Sequence, residues 1–183
     1  MTQTELTTIA LALLAVAVLG IWLIVRWRRS SSSDLQTMLG LVSLDYLIDF
    51  IIPDGNGGEI HIDHLLLTPG GFLLLDTKDV QGAVFAGDRM DTWSATHQGV
   101  RLTFDNPIPI LQERAAAISL IAPAVPLEYR ILFVNQATFP KGHPPAVATM
   151  PGILEEFQSI DTAADVSVFD AQWQVLKSAA AVA

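Results

Sequence analysis

Residues 61–79, HIDHLLLTPGGFLLLDTKD, set two leucine-rich runs around Pro69-Gly70-Gly71 and place Asp63, Asp76 and Lys78 within them. Apolar runs of this length, broken by turn residues, predict two buried strands joined as a hairpin, over 59–68 and 72–78. Residues two apart in a strand share a face, so Asp76 and Lys78 project together. A turn of two or three residues sets positions near 65 opposite those near 75, which brings Asp63 close to Asp76 across the hairpin. Two carboxylates that near repel unless a proton or a cation stands between them. Their hard oxygen atoms suit Mg2+ or Mn2+, so Asp63 and Asp76 are candidate metal ligands and Lys78 a candidate catalytic cation.

Glu59 and His61 alternate onto the Asp63 face and are further candidates for waters around such an ion or for a second one. By itself an acid two residues before a lysine is expected about once by chance in a chain this long. The plainer alternative is that Asp76 and Lys78 mark where the strand leaves the apolar core for solvent.

Outward from the hairpin, Asp34 followed by LQTMLGLVSL reads as an N-capped helix with Leu35, Met38, Leu39 and Val42 at helical spacing. A strand is expected over about 46–52, ended by Pro53 and the turn residues Asp54 to Gly58. Residues 82–86 are read as a third strand of the central meander. Asn106-Pro107 reads as the start of a helix running through Ile121, with Ile110, Leu111, Ala115, Ile118 and Leu120 in its apolar pattern. A buried strand over 130–134 and late helices over about 151–158 and 171–180 complete an α/β sandwich.

The chain has 183 residues, and its first thirty stand apart in composition. Residues 6–25, LTTIALALLAVAVLGIWLIV, carry no charge and are long enough for a transmembrane helix. A cleaved signal peptide is the rival reading, but no basic side chain precedes the apolar stretch; Arg26, Arg28 and Arg29 follow it. That bias places the C-terminal bulk in the cytoplasm. The expected organisation is an anchor with its basic flank over 1–29, a serine linker over 30–33, and an α/β domain over 34–183. Beyond residue 33 the 19 acids lose only Glu5 and the 10 bases lose the three arginines, leaving 18 against 7 and a net charge of −11. So acidic a domain repels a polyanion at long range, and contact with nucleic acid has to come from a local patch or a bound cation. The absence of cysteine excludes disulfide and thiolate chemistry.

His97 is assigned to an exposed loop, His64 to packing and His143 to a loop. Ser94 lacks the context of a hydrolase nucleophile, and Gly55, Gly57 and Gly58 precede a strand rather than the helix a phosphate loop needs.

The stretch EIHIDHLLLTPGGFLLLDTKDVQGAVFAG, residues 59–87, followed by Trp93, resembles the NERD (nuclease-related domain) family. That family's pattern is Ile-Asp-His with apolar residues, a Pro-x-Gly turn, an apolar strand ending in acid-x-Lys, and a glycine a few positions on. Asn106-Pro107 with Gln112 resembles its next helix, and the match extends over about 34–135. The resemblance implies a PD-(D/E)XK-type fold, a mixed central β-sheet flanked by helices (restriction-endonuclease-like), here preceded by one transmembrane helix. It also implies metal-dependent hydrolysis of phosphodiester bonds in nucleic acid by Asp63, Asp76 and Lys78. Two departures stand out. Members usually carry Gly-Glu at the first helix, where this chain has SSSSDLQ with Asp34 as the available acid. Members commonly show Glu-x-Lys-Asn, where this chain has Asp76-Thr77-Lys78-Asp79. The expectation is therefore a membrane-anchored nuclease using Mg2+ or Mn2+, bound by Asp63 and Asp76 with Asp34 and Glu59 as further ligands. The alternative is an inactive binding or scaffold domain of the same fold at the membrane.

Overall fold

The structure, a computed structural model, describes residues 34–157 and 167–182. By their contacts the residues divide into two units, Met1–Gln36 and Thr37–Ala183, and the site lies in the second. Helix α1 covers 34–42. Strands β1 (Asp45–Pro53), β2 (Glu59–Thr68) and β3 (Gly71–Lys78) follow as an antiparallel meander. The hairpin between β2 and β3 closes with Thr68 opposite Gly71, so its turn is the two residues Pro69 and Gly70. Leu65, Leu66, Leu73, Leu74 and Leu75 are each fully buried. Each such leucine contributes about 1.5–3 kcal/mol of apolar burial, and this hairpin is accordingly the centre of the core.

A second, smaller sheet follows. Strand β4 (Gly82–Phe85) pairs with β5 (Thr92–His97), which forms a hairpin with β6 (Val100–Asp105). The chain then enters helix α2 (Ile108–Ile121), with the Asn106 side-chain oxygen accepting the Ile108 N–H at 3.0 Å. Strand β7 (Leu127–Phe133) returns parallel to β3, β8 (Ala137–Thr138) joins β4, and β9 (Val147–Thr149) lies parallel to β7. Helices α3 (Met150–Phe157) and α4 (Ser167–Ala179) and the short β10 (Ala181–Val182), beside β1, complete the described chain. The large sheet has the order β10-β1-β2-β3-β7-β9 and the small one β6-β5-β4-β8.

Leu65 and Leu67 of β2 and Phe72 and Leu74 of β3 share the main core cluster with Leu111, Ala115 and Ile118 of α2. These three helical residues recur at i, i+4 and i+7 and so form one stripe. Ile110 and Leu120, expected in the same pattern, lie off that stripe and are exposed. Trp173 of α4 is buried against Phe72, with ring centroids 5.3 Å apart, and its indole N–H donates to Asp45 at 2.8 Å.

The mixed α/β sheet flanked by helices matches the expectation from sequence, with two corrections. Residues 82–86 do not extend the meander: β4 belongs to the second sheet, and the meander's third strand is β1. The expected anchor over residues 6–25 lies outside the described residues, and among those no helix is long and apolar enough to cross a membrane. The fold is thus corrected to an α/β domain with no described transmembrane helix. The membrane partner and the single-pass placement with a cytoplasmic domain, both derived from that helix, are not supported.

Candidate active site

The β2–β3 register runs from Thr68 opposite Gly71 to His64 opposite Leu75. One residue further, the same register sets Asp63 opposite Asp76. Asp63 continues the row of Leu65 and Leu67, while Asp76 and Lys78 continue that of Phe72 and Leu74, so all three side chains reach the face that α2 covers. The geometry expected from the turn is therefore present, shifted by one residue. Lys78 Nζ donates to Asp76 Oδ1 at 2.9 Å. Asp76 is only 1% exposed, a carboxyl held inside an apolar strand, whereas Lys78 retains a path to solvent. The alternative in which this pair merely marks the strand's exit into solvent does not hold for Asp76.

Arg114 of α2 supplies what the sequence reading missed. Its Nη1 lies 3.4 Å from Asp63 Oδ1 and 3.2 Å from Asp76 Oδ2, so a single nitrogen bridges the two carboxyls. Among the described residues, Asp76 Oδ2 and Arg114 Nε are buried without a hydrogen-bond partner. The bridge is close enough for an ion pair but misaligned for a hydrogen bond at these atoms. Asp63 is better satisfied: its Oδ2 accepts the Thr77 N–H at 3.2 Å, and His61 Nδ1 lies 3.4 Å from its Oδ1.

The two acids titrate in opposite directions. Burial and then the charge of Asp63 push the Asp76 carboxyl up, and Lys78 and Arg114 offset this only in part. Burial also acts to raise Asp63, but the Arg114 guanidinium, the Thr77 N–H and a hydrogen bond with Asp76 outweigh it and hold Asp63 below the usual carboxylate value. The pair divides its roles as two neighbouring carboxyls do when they cannot both ionise freely.

Asp49 also went unnoticed in the sequence. With Ile48 opposite His64 and Phe50 opposite Ile62, Asp49 falls opposite Asp63. Three aspartates thus stand in a row across β1, β2 and β3. Like charges directly opposite one another destabilise a sheet. Here Asp49 adopts a φ of 52° and pairs instead with His61, Nε2 to Oδ1 at 2.6 Å. The acid Asp49 within the run YLIDFII was the available signal, as was Arg114 at the edge of the apolar stretch AAAISLI.

Glu59 is exposed at the far end of β2 opposite Pro53, four residues from Asp63 or about 13 Å at strand rise. Asp34 is exposed and belongs to the other unit. His64 is buried, which pushes its imidazole pKa down, and its Nδ1 has no hydrogen-bond partner, in keeping with a packed neutral ring. His97 ends β5 rather than lying in a loop, and it is exposed. Asp79 is paired with Asn135.

No three His, Asp or Glu side chains gather tightly enough among the described residues to hold an ion alone. Mg2+ nevertheless is commonly bound through one or two carboxylates, with waters and substrate phosphate completing its shell. Two aspartates, one with an unpartnered buried oxygen, fit that mode. Beside Lys78 opens a cleft of about 340 Å3, whose walls include Val80, Leu102, Phe104, Pro107 and Ile110.

A mixed sheet with an acid pair and a lysine on adjacent strands, beneath a helix, is the frame of this α/β domain. The family model described as NERD, nuclease-related domain, matches residues 39–134, just over half of the chain, and the chain belongs to that family. Comparisons with curated proteins and with solved structures return no match.

Proposed function

We propose that this domain is a divalent-metal-dependent nuclease that hydrolyses phosphodiester bonds in nucleic acid. The observation that carries the reading is the convergence of Asp63 and Asp76 on one nitrogen of Arg114, with Lys78 2.9 Å from Asp76. Asp63 and Asp76 would hold Mg2+ or Mn2+, which when bound supplies Lewis-acid polarisation of the phosphoryl oxygen and acidifies a water. Lys78 sets its ammonium where negative charge develops on the phosphoryl group, in a site dry enough for one charge to matter. The Thr77 N–H and Arg114 fix the direction of Asp63 before substrate arrives. The cleft beside Lys78, lined by Phe104 and aliphatic side chains together with Asp105 and Asn106, offers the nucleotide adjoining the scissile phosphate a surface for stacking and apolar contact. Such local contacts are what a domain of strong negative charge requires in place of long-range attraction.

A second reading is favoured by one specific observation. Arg114 and Lys78 together already balance the acid pair, as an internal ion cluster would in a binding or scaffold domain that performs no hydrolysis. Linear DNA, plasmid DNA and RNA, each incubated with Mg2+ or Mn2+, separate the two. Cleavage that requires the metal and disappears in Asp76→Ala supports the nuclease. Equal cleavage by both proteins overturns these residues as the active site, and no cleavage by a folded wild type favours the scaffold.

A further inference from the structure

Arg114 is the largest charged group at the acid pair, and the chemistry proposed above leaves it only an orienting part. Its contact is unlike that of a settled structural ion pair. A guanidinium presents five N–H donors in a planar fork that matches a carboxylate with two parallel bonds. Here a single nitrogen lies between Asp63 and Asp76 at 3.4 and 3.2 Å. The Nε of the same group and the Asp76 Oδ2 that it faces are both buried without a hydrogen-bond partner. The guanidinium thus sits at the point between two carboxyl oxygens where a compact cation would be drawn, and it uses little of its own bonding capacity there.

We infer that Arg114 is a displaceable counter-cation, holding Asp63 and Asp76 together until a divalent ion takes its place and a substrate phosphodiester receives the freed guanidinium. This rests on the nuclease reading and deepens it. With a divalent ion, Arg114 and Lys78 all at the pair, four positive charges would face two negative ones, so ion and arginine exclude each other. A phosphodiester supplies the missing anion, in the geometry an arginine fork accepts best. Divalent ion and phosphodiester therefore bind with positive coupling, and by linkage each strengthens the other equally. Without nucleic acid the site stays closed by its own arginine, and the metal is bound weakly.

The test measures Mn2+ binding to the full chain from the paramagnetic signal of free Mn2+, with and without a short phosphorothioate-linked oligonucleotide. In wild type the oligonucleotide tightens Mn2+ binding about 5- to 150-fold, the usual range of coupling between sites. Arg114→Met binds Mn2+ alone more tightly than wild type by a factor in that range, and the oligonucleotide adds little. Arg114→Lys, which keeps the charge at a shorter reach without the fork, falls between. If wild type binds Mn2+ but Arg114→Met binds it no more tightly, the proposal fails while the nuclease reading stands. An oligonucleotide that leaves wild-type Mn2+ affinity unchanged overturns the proposal without recourse to any variant. If neither protein binds Mn2+ at millimolar concentration, both readings fall together.

Discussion

Gly71 opens β3 and carries the most exacting backbone requirement near the site. Its φ is 129°, a region that L side chains rarely adopt, and a Cβ placed on it would lie 2.2 Å from the carbonyl oxygen of Pro126. That oxygen is not free to retreat, because it accepts the Phe72 N–H at 2.8 Å and so ties the start of β3 to the segment entering β7. Gly71→Ala therefore incurs backbone strain of about 1–3 kcal/mol. It also breaks the Phe72 bond and leaves buried polar groups unpaired, a further cost of about 1–3 kcal/mol. The expected loss of about 2–6 kcal/mol is a large share of the roughly 5–15 kcal/mol that holds a domain together. Urea unfolding at neutral pH measures it. Gly70→Ala is the control: its nearest neighbour is Thr68 Oγ1 at 3.8 Å and its φ is not positive, so it is neutral or slightly stabilising. A loss below about 1 kcal/mol in Gly71→Ala, at an unchanged denaturant slope, would refute the steric argument. Since Gly71 pairs with Thr68 in the register that sets Asp63 opposite Asp76, the variant would also lose the proposed cleavage beyond its loss of folded protein.

Two further predictions concern pH. Burial raises the Asp76 carboxyl, so the folded chain binds that proton more tightly than the unfolded chain, and stability falls as pH rises from the ordinary carboxylate value through the raised one. Asp76→Asn cannot ionise, and its urea midpoint is flatter over that window; an unchanged slope would show that burial does not govern this group. At Asp45, burial acts to raise the carboxyl, but hydrogen bonds from Lys177 and Trp173 outweigh it and hold it below the ordinary value. The stability gained is present above the ordinary carboxylate range and is lost as pH falls through the depressed one. Because Asp45 is 44% exposed, solvent screening keeps the cost of Asp45→Asn at neutral pH to about 1 kcal/mol or less. Urea melts on both sides of the window check this, and an equal cost at both pH values would contradict it.

The hairpin and its acid pair were legible because Pro69-Gly70 fixes the register, and register carries every side chain with it. Strands β1, β7 and helix α2 announced themselves through apolar runs closed by proline or turn residues. The small sheet did not. Thr92–His97 and Val100–Asp105 are joined at Gln98-Gly99, both at positive φ, a tight turn without the Asn-Gly or Asp-Gly signature that marks such hairpins. Strand β6 is mostly exposed and so shows no buried alternation. The two- and three-residue strands β8, β9 and β10 are too short for any period to register. Within the site, Asp63, Asp76 and Lys78 could be placed by counting along two neighbouring strands. Arg114, 36 residues beyond Lys78 in sequence, could not, because its approach depends on how α2 settles on the sheet. Glu59 failed for the converse reason: sharing a face says nothing about distance along the strand.

The residue after Arg114 is Ala115, buried beneath α2 against the leucines of the sheet. The helix that seals the hydrophobic interior thus also aims the guanidinium. One residue of helix is 1.5 Å of travel, enough to carry Nη1 out of reach of one aspartate. A substitution at Leu111 or Ile118, uncharged residues one helical turn to either side of Arg114, would therefore be felt at the acid pair as an electrical change. If the pair holds an ion as proposed, variants selected for looser or tighter packing of this helix would surface in assays as altered ion affinity.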